Sequence, residues 1–171
     1  KHLRWDAESG DGDFVDRGGI SLLMYASANG NLKVVAELLQ LVLTSDKEQY
    51  TKWLDYRARR EGYVNFGIPG STNALFAAMA WANPSLVELL LRAGANPTVE
   101  DRNGTDPFMY ACYYGRNSNI KFWLDRFKEW DVHRGNRVTG ANALTLALSQ
   151  GPHKFGTLKL LFNAGVDVNE S

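Results

Sequence analysis

A pattern of small and apolar residues occurs four times along the chain, each time as two apolar segments in succession. The first segment follows a turn residue and places Leu or Phe ahead of small residues, as in GISLLMYASANG at 19–30, STNALFAAMAWA at 71–82, GTDPFMYACYYG at 104–115 and GANALTLALSQG at 140–151. The second segments, LKVVAELL, SLVELLL, IKFWL and LKLLF, carry apolar residues at the spacing of an amphipathic helix. The pattern therefore predicts four pairs of helices.

The second of these units shows the pattern most clearly. Small residues at Ala77, Ala78 and Ala80 predict an inner helix that a neighbouring unit can approach closely. Pro84 opens the next helix, because Pro is tolerated in a first helical turn, and Gly94 ends it, as C-terminal glycines commonly do. The unit is therefore predicted to run as helix, turn and helix, followed by a hairpin that leads to the next unit.

The spacing of the units resembles that of a known repeat family. The first apolar marker of each unit recurs at intervals of 52, 33 and 36 residues, at Leu23, Leu75, Phe108 and Leu144. A period near 33 with a start similar to T-P-L-H-x-A is the pattern of ankyrin repeats. The resemblance implies an all-α solenoid of stacked helix-turn-helix units joined by hairpin loops. One unit cannot bury its own apolar face, so neighbouring units stabilise each other.

The resemblance covers most of the chain and implies a single ankyrin-repeat domain over residues 1–171. Both ends resemble cuts between repeats, because residues 13–17 are similar to the tail of an earlier hairpin. The implied repeats lie at about 19–41, 71–103, 104–134 and 140–169, with a partial repeat at 1–18 and an insertion at about 42–70.

The insertion lengthens the first interval between markers. Ser45-Asp46-Lys47-Glu48 has the sequence of a capping box, and Tyr50 and Trp53 then share one helical face. We predict an additional or extended helix over 46–58 and a long hairpin or loop over 60–70. Two interpretations stay open: the aromatic residues pack on the repeats, or the insertion is a binding finger. Its length decides nothing, because long insertions cost little entropy.

A second departure lies between the third and fourth repeats. The stretch DRFKEWDVHRGNRVTG at 125–140 replaces the usual short hairpin of the family. Its residues Trp130, His133, Arg134 and Arg137 differ from the usual turn residues, so the resemblance does not fix the geometry of this hairpin.

The resemblance also implies where a partner binds. In ankyrin repeats, the two residues before the Gly that follows the inner helix face a concave groove, together with the hairpin tips. The implied partner-binding residues are Asn29, Trp81, Tyr113, Tyr114 and Gln150 on the inner helices and Arg102, Thr105 and Arg137 at the tips. Trp81 is expected beside Tyr113 and Tyr114, with Arg102 near them. Trp, Tyr and Arg are the residue types that dominate binding hot spots.

Two alternatives to such a groove stay open. The aromatic side chains equally suit packing over adjacent helices or under the insertion. They also suit an aromatic cage that attracts a methylated lysine by cation–π interaction, although no acidic residue is placed with them by the repeat pattern.

Composition and motifs narrow the range of functions. Lys plus Arg and Asp plus Glu number 19 each, so no net charge draws the chain toward nucleic acid. No apolar run is long enough to span a bilayer. The sequence lacks a phosphate-binding Gly-rich loop, H-E-x-x-H and C-x-x-C, and its three histidines have no metal-ligand spacing. The single Cys112, at a small-residue position of an inner helix, fits a reducing compartment.

We therefore expect a non-catalytic protein-interaction module, without a cofactor, that binds a peptide or protein partner. The expected location is the cytoplasm or nucleus, and the fragment is expected to be monomeric. The alternative is a cytoplasmic regulatory ankyrin region of a larger channel, kinase or other signalling protein, which makes intramolecular contacts. Transmembrane spans or a catalytic motif in the flanking sequence would favour the alternative.

Overall fold

The computed structural model describes residues 19–45, 47–58, 70–149 and 155–166. Within these ranges the regular elements are helices, so the predicted all-α class is confirmed, and none of these helices is long and apolar enough to cross a membrane. The helices are α1 (Leu22–Ala28), α2 (Leu32–Ser45), α3 (Lys47–Leu54), α4 (Ala74–Trp81), α5 (Pro84–Arg92), α6 (Pro107–Tyr114), α7 (Asn117–Arg126), α8 (Ala143–Ser149) and α9 (Phe155–Asn163).

The chain divides into two compact units, residues 1–97 and 98–171. In the first unit, α1 and α2 form a pair that packs on the pair α4 and α5, and α3 packs against α2. In the second unit, α6 and α7 form a pair that packs on α8 and α9. Each unit therefore stacks one helix pair on another, inner helix against inner helix and outer helix against outer helix.

A capping residue begins each inner helix. Its side-chain oxygen accepts a hydrogen bond from a backbone N–H in the first helical turn, over 2.8–3.3 Å. Each such cap contributes about 1 kcal/mol to helix stability. The four capping residues are Ser21, Asn73, Asp106 and Asn142. The same capping hydrogen bond therefore begins the inner helix of all four helix pairs, close to where the sequence predicts a helix to start.

The marker residues of the repeat pattern form the cores of the two units. In the first unit Leu23 and Leu75 are 0% and 1% exposed, and every residue from Ala74 to Ala80 is buried. The small side chains of α4 allow this, because both α1 and α5 pack closely on the helix. In the second unit Phe108 and Leu144 are buried in the corresponding positions.

The described part of the insertion packs on the first unit. Trp53 and Leu54 are buried, and the Tyr50 hydroxyl donates a hydrogen bond of 3.1 Å to the carbonyl of Ala93 at the end of α5. These contacts favour the packing interpretation for α3. Residue 46 and residues 59–69 lie outside the described residues, so the capping box and most of the 60–70 loop stay predictions.

The insertion helix ends earlier than the sequence predicts, at Leu54 instead of residue 58. The cause is a pair of backbone hydrogen bonds to residues far along the sequence. The Ala58 N–H donates to the Thr72 carbonyl at 2.9 Å, and the Ser71 N–H donates to the Ala58 carbonyl at 2.7 Å. These two hydrogen bonds hold Ala58 against residues 71 and 72, and a helix that continued through Ala58 is incompatible with them.

The stretch at 125–140 is anchored by aromatic side chains. The Trp130 ring meets Trp123 edge to face at 5.1 Å between centroids, and it lies 5.7 Å from the Phe127 ring. Trp123 is fully buried. The next turn is held by Asn136, whose side-chain oxygen accepts hydrogen bonds from the backbone of residues 138 and 139. Trp130 therefore packs this stretch against Trp123 of α7 and Phe108 of α6.

Candidate partner-binding surface

Tyr113 and Tyr114 end helix α6 and lie half-buried at the surface of the second unit. Their rings meet edge to face, with 5.0 Å between centroids, and Tyr114 also lies 6.3 Å from the Tyr110 ring. Gly115 follows in a left-handed conformation, with φ of 65°, and its N–H caps the helix. Burial, followed by the neighbouring Tyr113, raises the pKa of Tyr114 above the ordinary value of a phenol.

The first hairpin of the second unit, residues 101–105, is held by the carboxylate of Asp101. One oxygen of that group accepts the N–H of Asn103 at 2.8 Å and the N–H of Thr105 at 2.9 Å. The other oxygen accepts the Tyr110 hydroxyl at 3.2 Å, which ties the hairpin to α6. Arg102 is exposed at the tip, whereas Thr105 is only 8% exposed. A side chain with so little free surface offers a partner little contact area.

The second hairpin, residues 131–141, lies directly against the first. The Arg137 N–H donates to the Asn103 carbonyl at 2.7 Å. The Arg137 guanidinium pairs with Glu100, and the same carboxylate pairs with Arg134. The Arg137 side chain stays 72% exposed while it makes this pair. Arg102 and Arg137 are therefore the cationic side chains that these two tips present to solvent.

Asn29 and Trp81 lie in the first unit, at the C-terminal ends of α1 and α4. These ends are adjacent, since a Cβ atom on Gly30 would lie 3.9 Å from the Cα atom of Ala82. Trp81 is half-buried, and the Asn29 side chain donates to the Tyr25 carbonyl at 2.8 Å. Asn29 also borders a surface hollow of about 620 Å³ that Leu22, Tyr25 and Leu32 line.

The predicted binding residues thus form two groups. Within the second unit, the structure brings Arg102, Thr105 and Arg137 together at the hairpins, and Tyr110 links these hairpins to the helix that carries Tyr113 and Tyr114. Asn29 and Trp81 form the group of the first unit. Gln150 lies outside the described residues. The expected position of Trp81 beside the two tyrosines stays a prediction, as does the aromatic cage.

Three residues that hold the hairpins of this surface were missed by the sequence reasoning: Glu100, Asp101 and Tyr110. Asp101 begins the run Asp-Arg-Asn-Gly, a turn sequence in which a side-chain carboxylate accepts hydrogen bonds from backbone two or more residues on, so it could have been found. Glu100 has no such local signal, because its arginine partners lie in a different hairpin. Among the described residues, no group of three or more His, Cys, Asp or Glu side chains is arranged to hold a metal ion.

Comparison with known proteins agrees with this architecture. A family model described as ankyrin repeats in three copies matches residues 74–171. The chain belongs to the ankyrin-repeat family. The resemblance predicted from the repeated pattern is therefore confirmed, and the matched residues include helices α4 to α9.

Individual ankyrin-repeat relatives are distant and longer. The chain is 28% identical over 165 residues to ankyrin repeat domain-containing protein SAT10 of Stachybotrys chartarum, which covers 91% of this chain and 8% of that protein. It is 27% identical over 108 residues to NF-kappa-B inhibitor alpha of Homo sapiens and of Sus scrofa, which covers 63% of this chain and 34% of each inhibitor. The chain thus spans only a minor part of the length of these relatives.

Proposed function

We propose that this ankyrin-repeat chain is a non-catalytic module that binds a peptide or protein partner through its inner-helix ends and hairpin tips. Ankyrin repeats are generally protein–protein interaction modules, and one relative is by name an inhibitor of another protein, NF-kappa-B. The observation that carries the proposal is the Tyr113–Tyr114 pair at the end of α6. Tyr110 of the same helix contacts the Tyr114 ring and donates a hydrogen bond to Asp101, in the hairpin that carries the exposed Arg102.

The tyrosine pair has the properties of a binding anchor. Both rings are half-buried, and their edge-to-face contact, with that of Tyr110 and Tyr114, limits their motion. A partner that covers such rings gains apolar contact and loses little side-chain entropy. The phenols are uncharged at neutral pH, and burial raises the pKa of Tyr114 further, so covering these rings buries no charge.

The hairpin tips add charge to this surface. Arg102 and Arg137 are exposed, and Arg137 shares the carboxylate of Glu100 with Arg134, so the two arginines at this carboxylate outnumber it. The carboxylate of Asp101 is buried and accepts hydrogen bonds from the hairpin backbone and from Tyr110. Exposed guanidinium groups favour carboxylates on the partner and increase the association rate more than the affinity. We infer a partner segment with an apolar or aromatic residue followed by acidic residues. Trp81 and the hollow beside Asn29 are a second contact surface, on the first unit.

The test is site-specific photo-crosslinking in native lysate. A photoreactive phenylalanine analogue replaces Tyr113, and a matched chain carries it at Lys159, an exposed position on α9 of the same unit. The proposal predicts a discrete crosslinked protein from position 113 and none from position 159. Crosslinking of that protein from position 159 alone contradicts the proposed surface.

A binding measurement with the captured protein completes the test. The variant Tyr113→Ala/Tyr114→Ala, shown by circular dichroism to be folded, is compared with Lys121→Ala/Lys159→Ala by calorimetry. Loss of a binding hot spot predicts an affinity at least roughly 30-fold weaker for the tyrosine variant alone. Equal affinities of the two variants contradict the proposal. If the crosslinked segment belongs to the same polypeptide as the repeats, the intramolecular alternative holds.

A further inference from the structure

One of the four inner-helix caps differs from the others in its chemistry. Ser21, Asn73 and Asn142 are neutral, whereas Asp106 carries a carboxyl group. All four are buried, and Asp106 is 0% exposed. The same structural task is therefore performed three times by a group that cannot ionise and once by a group that can.

The surroundings of Asp106 do not suit a negative charge. Its Oδ1 atom accepts the N–H of Met109 at 2.8 Å, but its Oδ2 atom is buried without a hydrogen-bond partner. Two further carboxyl groups, Asp101 and Asp131, lie close enough to repel a charge on Asp106. An ionised carboxylate that is buried with one bare oxygen is strongly disfavoured, whereas a protonated carboxyl leaves no charge uncompensated.

We propose that Asp106 is a proton-binding site of the second unit, protonated in mildly acidic solution and ionised above it, and that its ionisation loosens the hairpins anchored by Asp101 and Asp131. The neighbouring anchors explain the coupling. The Asp101 carboxylate holds the N–H groups of Asn103 and Thr105, and the Asp131 carboxylate holds those of His133 and Arg134. A charge on Asp106 repels both anchors at once.

The titration range follows from the same surroundings. Burial first, and then the charges of Asp101 and Asp131, raise the pKa of Asp106 from its ordinary value of 3.8 to about 6, although the N–H groups of Met109 and Phe108 favour the ionised form. The helices packed on α6 place no buried charge near Asp106 that would counteract this rise in its pKa. Helix α8 has no titratable side chain, and the charged residues of α7, which are Lys121, Asp125 and Arg126, are exposed.

Further titratable groups lie on the hairpins and on α6. The Tyr110 hydroxyl donates a hydrogen bond to Asp101. The Arg134 guanidinium pairs with Glu100, and its backbone N–H donates to Asp131. His133 is half-buried next to these groups, and Cys112 is buried in α6. The experiment must therefore follow the protonation of the Asp106 carboxyl group by its own signal, because a titration of the whole chain also includes these residues.

The experiment is a nuclear magnetic resonance titration of the chain labelled with ¹³C and ¹⁵N, from pH 4 to pH 8. The Asp106 carboxyl carbon is expected to titrate with a midpoint near 6. Amide hydrogen exchange of Asn103, Thr105, His133 and Arg134, corrected for its intrinsic pH dependence, is expected to accelerate above that midpoint. The acceleration should be absent from Asp106→Asn. A midpoint near 3.8 in the wild-type chain overturns the proposal, even if the variant does not fold.

Two further variants separate the proposed site from a general effect of pH. Asp131→Asn removes a nearby charge and is expected to lower the Asp106 midpoint. Asp125→Asn removes an exposed carboxylate on α7 and is expected to leave the midpoint unchanged. If both variants change the midpoint equally, or if the hairpin amides show the same pH profile in wild type and Asp106→Asn, the coupling to the hairpins is wrong.

Discussion

Gly104 lies directly against the backbone of Arg137, so that a Cβ atom at position 104 would stand 2.9 Å from the Arg137 nitrogen. The backbone at Gly104 is also left-handed, with φ of 79°. Two separate restrictions therefore exclude a side chain at this position. One is conformational, and the other is the close approach of the two hairpins that the Arg137–Asn103 hydrogen bond brings together.

Gly104→Ala is expected to destabilise the second unit by about 2–4 kcal/mol, which sums the backbone strain and the displaced contact. Gly140→Ala is the matched control, because Gly140 has a similar φ of 70° but no atom within 4 Å of the added methyl group. It is expected to cost only about 1 kcal/mol. Urea unfolding of both variants gives the difference, and equal losses would show that the hairpin contact contributes nothing.

The repeat markers give a second prediction, for the first unit. Leu75→Ala is expected to reduce the free energy of unfolding by about 2–5 kcal/mol, because Leu75 is buried in α4 and the cavity cannot collapse easily. Leu41→Ala is the control, since Leu41 is 42% exposed on α2. Chemical unfolding of both variants decides the matter, and a loss below about 0.5 kcal/mol for Leu75→Ala contradicts a core position.

The helix pairs and their core markers were predictable because their causes are local. A turn residue, a capping side chain and small residues at helical spacing all lie within one short segment, as around Asn73 and Leu75. The end of α3 was not predictable, because it depends on hydrogen bonds between Ala58 and residues 71 and 72. The sequence between them gives no signal for that pairing.

The candidate surface was predictable in part, for a related reason. Their position in the repeat alone places Tyr113 and Tyr114 in the last turn of α6, where both side chains are partly exposed. Thr105 was expected at a hairpin tip, but its N–H donates a hydrogen bond to the Asp101 carboxylate and its side chain is buried. The charged surroundings of Asp106 could not be foreseen either, since Asp101 precedes the helix by one hairpin and Asp131 lies beyond the next helix.

The insertion helix gives a third prediction. Trp53→Ala is expected to reduce the stability of the first unit by about 3–5 kcal/mol, because Trp53 is 1% exposed. Tyr50→Phe removes only the hydrogen bond to the Ala93 carbonyl and is expected to cost about 0.5–1.5 kcal/mol. Thermal unfolding measures both. If Trp53→Ala leaves stability unchanged but weakens partner binding, α3 is a binding element and the packing interpretation is wrong.

The buried cap at Asp106 gives a fourth prediction, in which pH decides the size of a mutational effect. The folded chain has a pKa of about 6 at Asp106, whereas the ordinary value is 3.8. Between these values the folded state holds a proton that the unfolded state has released, so the Asp106 contribution to stability falls as pH rises through this range. Below it, both states are protonated and the penalty vanishes.

Asp106→Asn is therefore expected to stabilise the second unit at pH 7.5, by at most about 3 kcal/mol for a shift of about two pKa units. The gain should shrink through pH 6 to 4 and disappear below that range, because the asparagine keeps the cap and never ionises. Asn73 and Asn142 already perform this role in their own helices. Urea unfolding at four pH values measures the dependence, with Asp125→Asn as the exposed control. A destabilised variant at pH 7.5, or a gain independent of pH, contradicts a buried charge at this cap.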